Sequence, residues 1–100
     1  MVQLTANNLR SEIEDLVKRM ARSKDQRIML ISKLEELSNS LQKNDPMIEL
    51  NNTVRRNFMA LGCCQSQIDA TMEIEKTVLQ MMAIMSSKYS SFFKDFSALF

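Results

Sequence analysis

One hundred residues with 13 basic and 12 acidic side chains leave a net charge of +1, too even a balance to point to nucleic acid or a membrane surface. With no His, no Trp, one Gly and one Pro, the usual catalytic and metal-binding inventory is nearly absent. A chain of this length allows a single domain and buries only a modest core by itself.

Two adjacent cysteines, Cys63 and Cys64, lack the multi-cysteine framework of small secreted domains and point to a reducing compartment. Met1 to Arg10 carries Gln, Thr and two Asn where a secretory leader needs an apolar run. The most apolar stretch, Val78 to Met85, includes Gln80 and is too short to span a bilayer. The expected location is soluble and intracellular, cytoplasmic or nuclear.

Along the first part of the chain, apolar residues recur at steps of three and four. They are Ala6, Leu9, Ile13, Leu16 and Met20, then, past Ser23 and Arg27, Leu30, Leu34, Leu37 and Leu41. A period of about 3.5 holds these positions on one side of a helix, and such a stripe buries itself against other helices. Ser11 with Glu14 has capping-box spacing, and Glu12, Glu14 and Asp15 place negative charge where the helix dipole favours it. The spacing predicts helix one over about residues 8–43.

Asp45 followed by Pro46 is the clearest punctuation. Asp caps the free amides of a new helix, while Pro fits its first turn and disfavours helix at the residue before it. A reversal near residues 44–45 and an antiparallel helical hairpin follow.

Helix two is predicted over about residues 46–98, with a break near 62 or 86–91 where Gly62 and the serines 86, 87, 90 and 91 lower propensity. Its stripe runs through Met47, Leu50, Val54, Asn57, Leu61, Cys64, Ile68, Thr71, Glu75, Val78, Met82, Met85, Tyr89, Phe92, Phe96 and Leu99. A second stripe, Phe58, Met72, Leu79, Phe93 and Phe100, widens the apolar surface beyond what a two-stranded seam uses. The expected fold class is all-α: one long antiparallel helical hairpin spanning residues 1–100, in a coiled-coil or helical-bundle assembly.

Unbroken, helix two measures roughly 75 Å and overshoots its partner arm, so that residues 89–100 project. That piece holds Tyr89, Phe92, Phe93, Phe96 and Phe100, too much aromatic surface to leave in water. Another chain is the expected cover; folding back after a break at Ser86 or Ser90, or a membrane surface, are the other two outcomes. At mid-length, Ser23 and Arg27 are expected level with Gly62, Cys63 and Cys64, forming a register-fixing polar layer or a hinge. Cys64, on the stripe, reads as a small apolar core residue.

The architecture resembles the small coiled-coil subunits of vesicle-tethering, kinetochore and other rod-like assemblies, although no residue motif identifies a family. The expected function is a non-catalytic subunit that joins other helical chains in a scaffold or tethering complex, with a hetero-complex favoured over a homo-oligomer. The expected partner interface is Leu9, Ile13, Leu16, Leu30, Leu34, Leu37, Phe58, Leu61, Ile68, Met72, Val78, Leu79, Met82, Met85, Tyr89, Phe92, Phe93 and Phe96. No catalytic residue, cofactor, metal or small-molecule substrate is expected. Two rival readings are a membrane-interacting, secreted or viral helical factor using the aromatic end, and a nucleic-acid regulator using Lys18, Arg19, Arg22, Lys24 and Arg27. The latter charges point in several directions on a helix, which favours a solvated face.

Overall fold

The computed structural model describes residues 6–85 and 87–99, except for the side chains of residues 6, 7 and 9. The expectations placed on the Ala6 and Leu9 side chains, on Ser86 and on Phe100 therefore lie outside the described residues. The chain is all-helical, with no strand among the described residues. In place of two long rods the described residues form five α-helices: α1 (Ala6–Arg22), α2 (Lys24–Asn39), α3 (Pro46–Ala60), α4 (Gln67–Ile84) and α5 (Ser90–Ser97). Short 3₁₀ turns at Cys64–Ser66 and Ser87–Tyr89 lead into α4 and α5.

Each interruption has a local cause. Ser23 leaves helical geometry at φ −128°, ψ 110°, and its side chain accepts a hydrogen bond from the Gln26 amide at 3.3 Å, so it caps α2. The Arg27 guanidinium turns back to donate to the Met20 carbonyl at 2.8 Å, satisfying an acceptor freed where α1 ends. Asp45 caps α3 by accepting from the Met47 amide at 2.9 Å, with Pro46 in the first turn. After α3 the backbone tightens through Gly62 and Cys63, whose amides reach back three residues to Met59 and Ala60. Met85, at φ −68°, ψ 119°, ends α4.

Shorter helices change what can be buried. α2 and α3 pack antiparallel, with Arg55 3.9 Å from Glu35, and α3 folds back on α4 through the corner at residues 61–66. α1 lies along α4 and against α2, with Arg10 3.9 Å from Glu75, and α5 seats on α2. The radius of gyration is 12.8 Å within extents of 37 × 29 × 20 Å, as expected of a compact body of about this length and not of a rod.

The aromatic end is the largest departure from the sequence expectation. Tyr89, Phe92 and Phe96 are 7%, 4% and 1% exposed, so the chain covers them itself. The Phe92 and Phe96 rings stack at 5.9 Å between centroids. Burying large apolar side chains contributes about 1.5–3 kcal/mol each, so these three matter on the scale of a small domain's net stability of about 5–15 kcal/mol.

The apolar register also shifts after the corner at Gly62. The expected stripe through Cys64, Ile68, Thr71 and Glu75 is not the buried one; Ala70, Ile74 and Met81 are buried instead, and the stripe returns to the core at Val78. The non-helical step at residues 62–63 resets the helical phase, and a continuous heptad count cannot follow it.

Asn51 of α3 is wholly buried, and neither its side-chain oxygen nor its nitrogen has a hydrogen-bond partner. An unpaired buried amide is a standing cost. Asn51→Leu is therefore expected to raise unfolding free energy by about 1–3 kcal/mol in urea titration, with an unchanged helical circular dichroism spectrum.

Candidate functional site

Asp45 forms a junction between the first helical pair and the C-terminal segment. It is only 8% exposed. Besides capping α3, its Oδ1 accepts the Tyr89 hydroxyl at 2.6 Å, and its Oδ2 lies 3.7 Å from the Lys88 ammonium. The same ammonium sits 5.2 Å from the centre of the Tyr89 ring. Burial alone pushes the Asp45 carboxyl up, but the Tyr89 hydroxyl, the Met47 amide and the Lys88 charge outweigh it and hold the group below its ordinary value of 3.8. Tyr89 is raised above 10.0 because its hydroxyl donates to Asp45, with burial and the Asp45 charge adding to the effect.

A second junction joins Arg27 to the α3–α4 corner. A side-chain carbon built on Gly62 would lie 2.8 Å from Nη2 of Arg27, so the glycine leaves room for the guanidinium. Of the expected polar layer, Ser23, Arg27 and Gly62 thus take defined parts at this end of the bundle. The cysteines beside them differ from expectation. Both are free and exposed, and Cys64 is not a core residue. The Gln65 amide, followed by the hydroxyl and amide of Ser66, holds the exposed Cys63 thiol below its ordinary value of 9.0.

The third feature is the outer face of α4. At about 100° per residue, Ile68, Met72, Leu79 and Ala83 occupy one sector of about 60°, opposite Ala70, Ile74 and Met81. Ile68 is 77% and Met72 64% exposed; Leu79 is half-buried. A shallow hollow between Met72, Glu75, Lys76 and Leu79 marks the middle of this face. Asp69, Glu73 and Lys76 border it in solvent.

The expected partner interface divides accordingly. Ile13, Leu16, Leu30, Leu34, Phe58, Leu61, Val78, Tyr89, Phe92 and Phe96 are buried inside the chain's own core, which takes them out of reach of a partner while the bundle is closed. Leu37, Leu79, Met82, Met85 and Phe93 are half-buried, and Ile68 and Met72 face solvent. Of the basic segment, Lys18, Arg19 and Arg22 share a surface hollow with Glu12 and Asp15, giving mixed charge, while Lys24 and Arg27 belong to α2. Among the described residues, no three His, Cys, Asp or Glu converge as metal ligands, and no helix is long and apolar enough to cross a membrane.

Two roles escaped the sequence reading for different reasons. Ser23 with Gln26 has the capping-box spacing, a signal that the surrounding heptads obscured. The Asp45–Tyr89 pair spans 44 residues and leaves no local signature.

The two shifts set the acid and alkaline limits of the Asp45 junction. Its carboxylate contribution is complete above pH about 4 and is lost as pH falls through the lowered Asp45 value. The Tyr89 contribution is complete below pH about 10 and is lost as pH rises through the raised phenol value. Spectrophotometric titration of Tyr89, the chain's single tyrosine, should give a midpoint above 10.0 that moves down toward it in Asp45→Asn. Asp45→Ala should cost about 2 kcal/mol by thermal denaturation at neutral pH, since it removes both the cap and the acceptor.

No protein-family model matches the chain, and no curated protein or solved structure shows significant similarity to it.

Proposed function

We propose that this chain is a non-catalytic helical interaction module that offers the outer face of α4 to an amphipathic helix of another protein. The observation that supports this most directly is that α4 is apolar on two opposite sides while the bundle buries one and reaches the other only at Leu79. A helix apolar around most of its circumference belongs in the middle of a bundle, covered on both sides. Ile68 and Met72, four residues apart and mostly exposed, supply adjacent anchor points of the kind a partner helix engages from a groove or a parallel face.

The border of the face argues for the partner's chemistry. Asp69 and Glu73 outnumber Lys76 along one edge, while Glu75 on the other side is drawn toward Arg10. A partner helix with a Leu- or Met-rich stripe and Lys or Arg along its flank complements this arrangement. The same acidic edge disfavours an anionic membrane surface, which attracts basic faces. Assembly into a larger scaffold or tethering complex follows naturally for a module of this kind, with the buried aromatic end serving its own core.

Ile68→Asp and Met72→Asp change solvent-facing positions and should shift stability by no more than about 0.5 kcal/mol. Partners captured by the parent chain, identified by mass spectrometry and reconstituted with it, should bind the double variant at least about tenfold more weakly. Amide exchange in the reconstituted pair should slow along residues 68–83. Undiminished binding by the double variant, or protection confined to other helices, would contradict the assignment.

A further inference from the structure

We infer that α5 is an exchangeable element, and that two copies of this chain form a dimer by trading their C-terminal helices. In that dimer α4 continues through Met85 into α5 as one longer helix, and each α5 occupies the other copy's seat. The inference rests on the C-terminal segment alone and is independent of the outer face of α4.

The first observation concerns the break itself. After Gly62 the sequence contains no Pro and no Gly, so nothing in the covalent chain compels α4 to stop at Ile84. The heptad stripe runs across the break without a change of phase: Val78, Met82 and Met85 lead directly to Tyr89, Phe92 and Phe96. A straight helix through this region would keep all six on one side. Ser87, Ser90 and Ser91 lower helix propensity without forbidding a helix, so the contacts of the C-terminal segment, Tyr89 to Asp45 among them, favour the break in a way that the turn before Pro46 does not need.

The second observation identifies the occupant. The seat receives Phe96 and Leu99 where Leu16, Leu34, Val54 and Val78 converge around a void of about 10 Å³, at the lower limit for one water molecule. It is already shaped for this sequence. Its rim carries the buried Asp45 carboxylate, complementary to Lys88 and the Tyr89 hydroxyl. An identical segment from a second copy satisfies the same shape and the same charges, so exchange rebuilds in trans every contact that opening breaks. Met82 and Met85, half-buried in the single chain, lie on the apolar stripe that a lengthened helix carries toward the second copy.

The test uses the full chain, refolded from denaturant at low and at high concentration and examined by light scattering after size exclusion. A dimer whose share rises with refolding concentration and which returns slowly to monomer on dilution is expected. Ser87→Pro should raise the dimer dissociation constant by about a hundredfold or more, because proline opposes a helix running through that point. It should leave the monomer's helix content intact. Met72→Asp should leave the dimer unchanged.

Isotope-filtered NMR on a dimer refolded from labelled and unlabelled copies provides a second readout. Contacts between Phe92 or Phe96 rings of one copy and Leu34 methyls of the other are the expected signature. No dimer at any refolding concentration, a dimer abolished by Met72→Asp, or ring contacts confined within one copy would each overturn the inference.

Discussion

The closed bundle depends on a carboxylate held away from water. Asp45 starts α3, and through Tyr89 and Lys88 it fixes where the C-terminal segment enters its seat. Removing a charge from water is unfavourable unless its lone pairs are satisfied, and here an amide, a phenol and an ammonium share that task. A helix cap, ordinarily a local device, has become a long-range tie. Because Tyr89 is followed closely by Phe92 and Phe96, fixing the tyrosine also sets the angle at which the aromatic surface enters the core.

The distribution of apolar surface reconciles a compact fold with the proposed association. Splitting the two expected rods into five helices lets a short sequence cover Tyr89, Phe92 and Phe96 without help. That solution leaves most of one side of α4 uncovered, because α3 and α1 pack around its inner circumference and, among the described residues, the outer sector meets the core only at the half-buried Leu79. The exposed Ile68 and Met72 are therefore a by-product of how the interior is completed. The proposed partner helix belongs on this outer surface, away from the aromatic end that the heptad pattern first suggested.

Helical class was legible because the three-and-four spacing is strong within each segment; Ile13, Leu16, Met20, Leu30 and Leu34 are buried along the expected stripe. The cap at Asp45 was equally readable, since Asp-Pro chemistry is local. Phase beyond Gly62 was not, because a turn of a few residues rotates everything after it by an amount that periodicity cannot supply. Ile68 and Cys64 moved outward and Ala70 and Ile74 inward for that reason. The fate of the aromatic end depended on a contact across 44 residues, for which no spacing rule exists. Of the expected partner interface, Ile68 and Met72 are the described residues left mostly in solvent.

Arg27 binds the elbow after α1 to the corner before α4: its guanidinium holds the Met20 carbonyl on one side and lies against Gly62 on the other. These two bends are distant in the chain yet share a single steric clearance. A bulkier residue at the corner therefore presses, through the arginine, on the carbonyl that finishes α1. Substitutions at positions 27 and 62 are consequently coupled, and a larger group at one calls for a shorter one at the other.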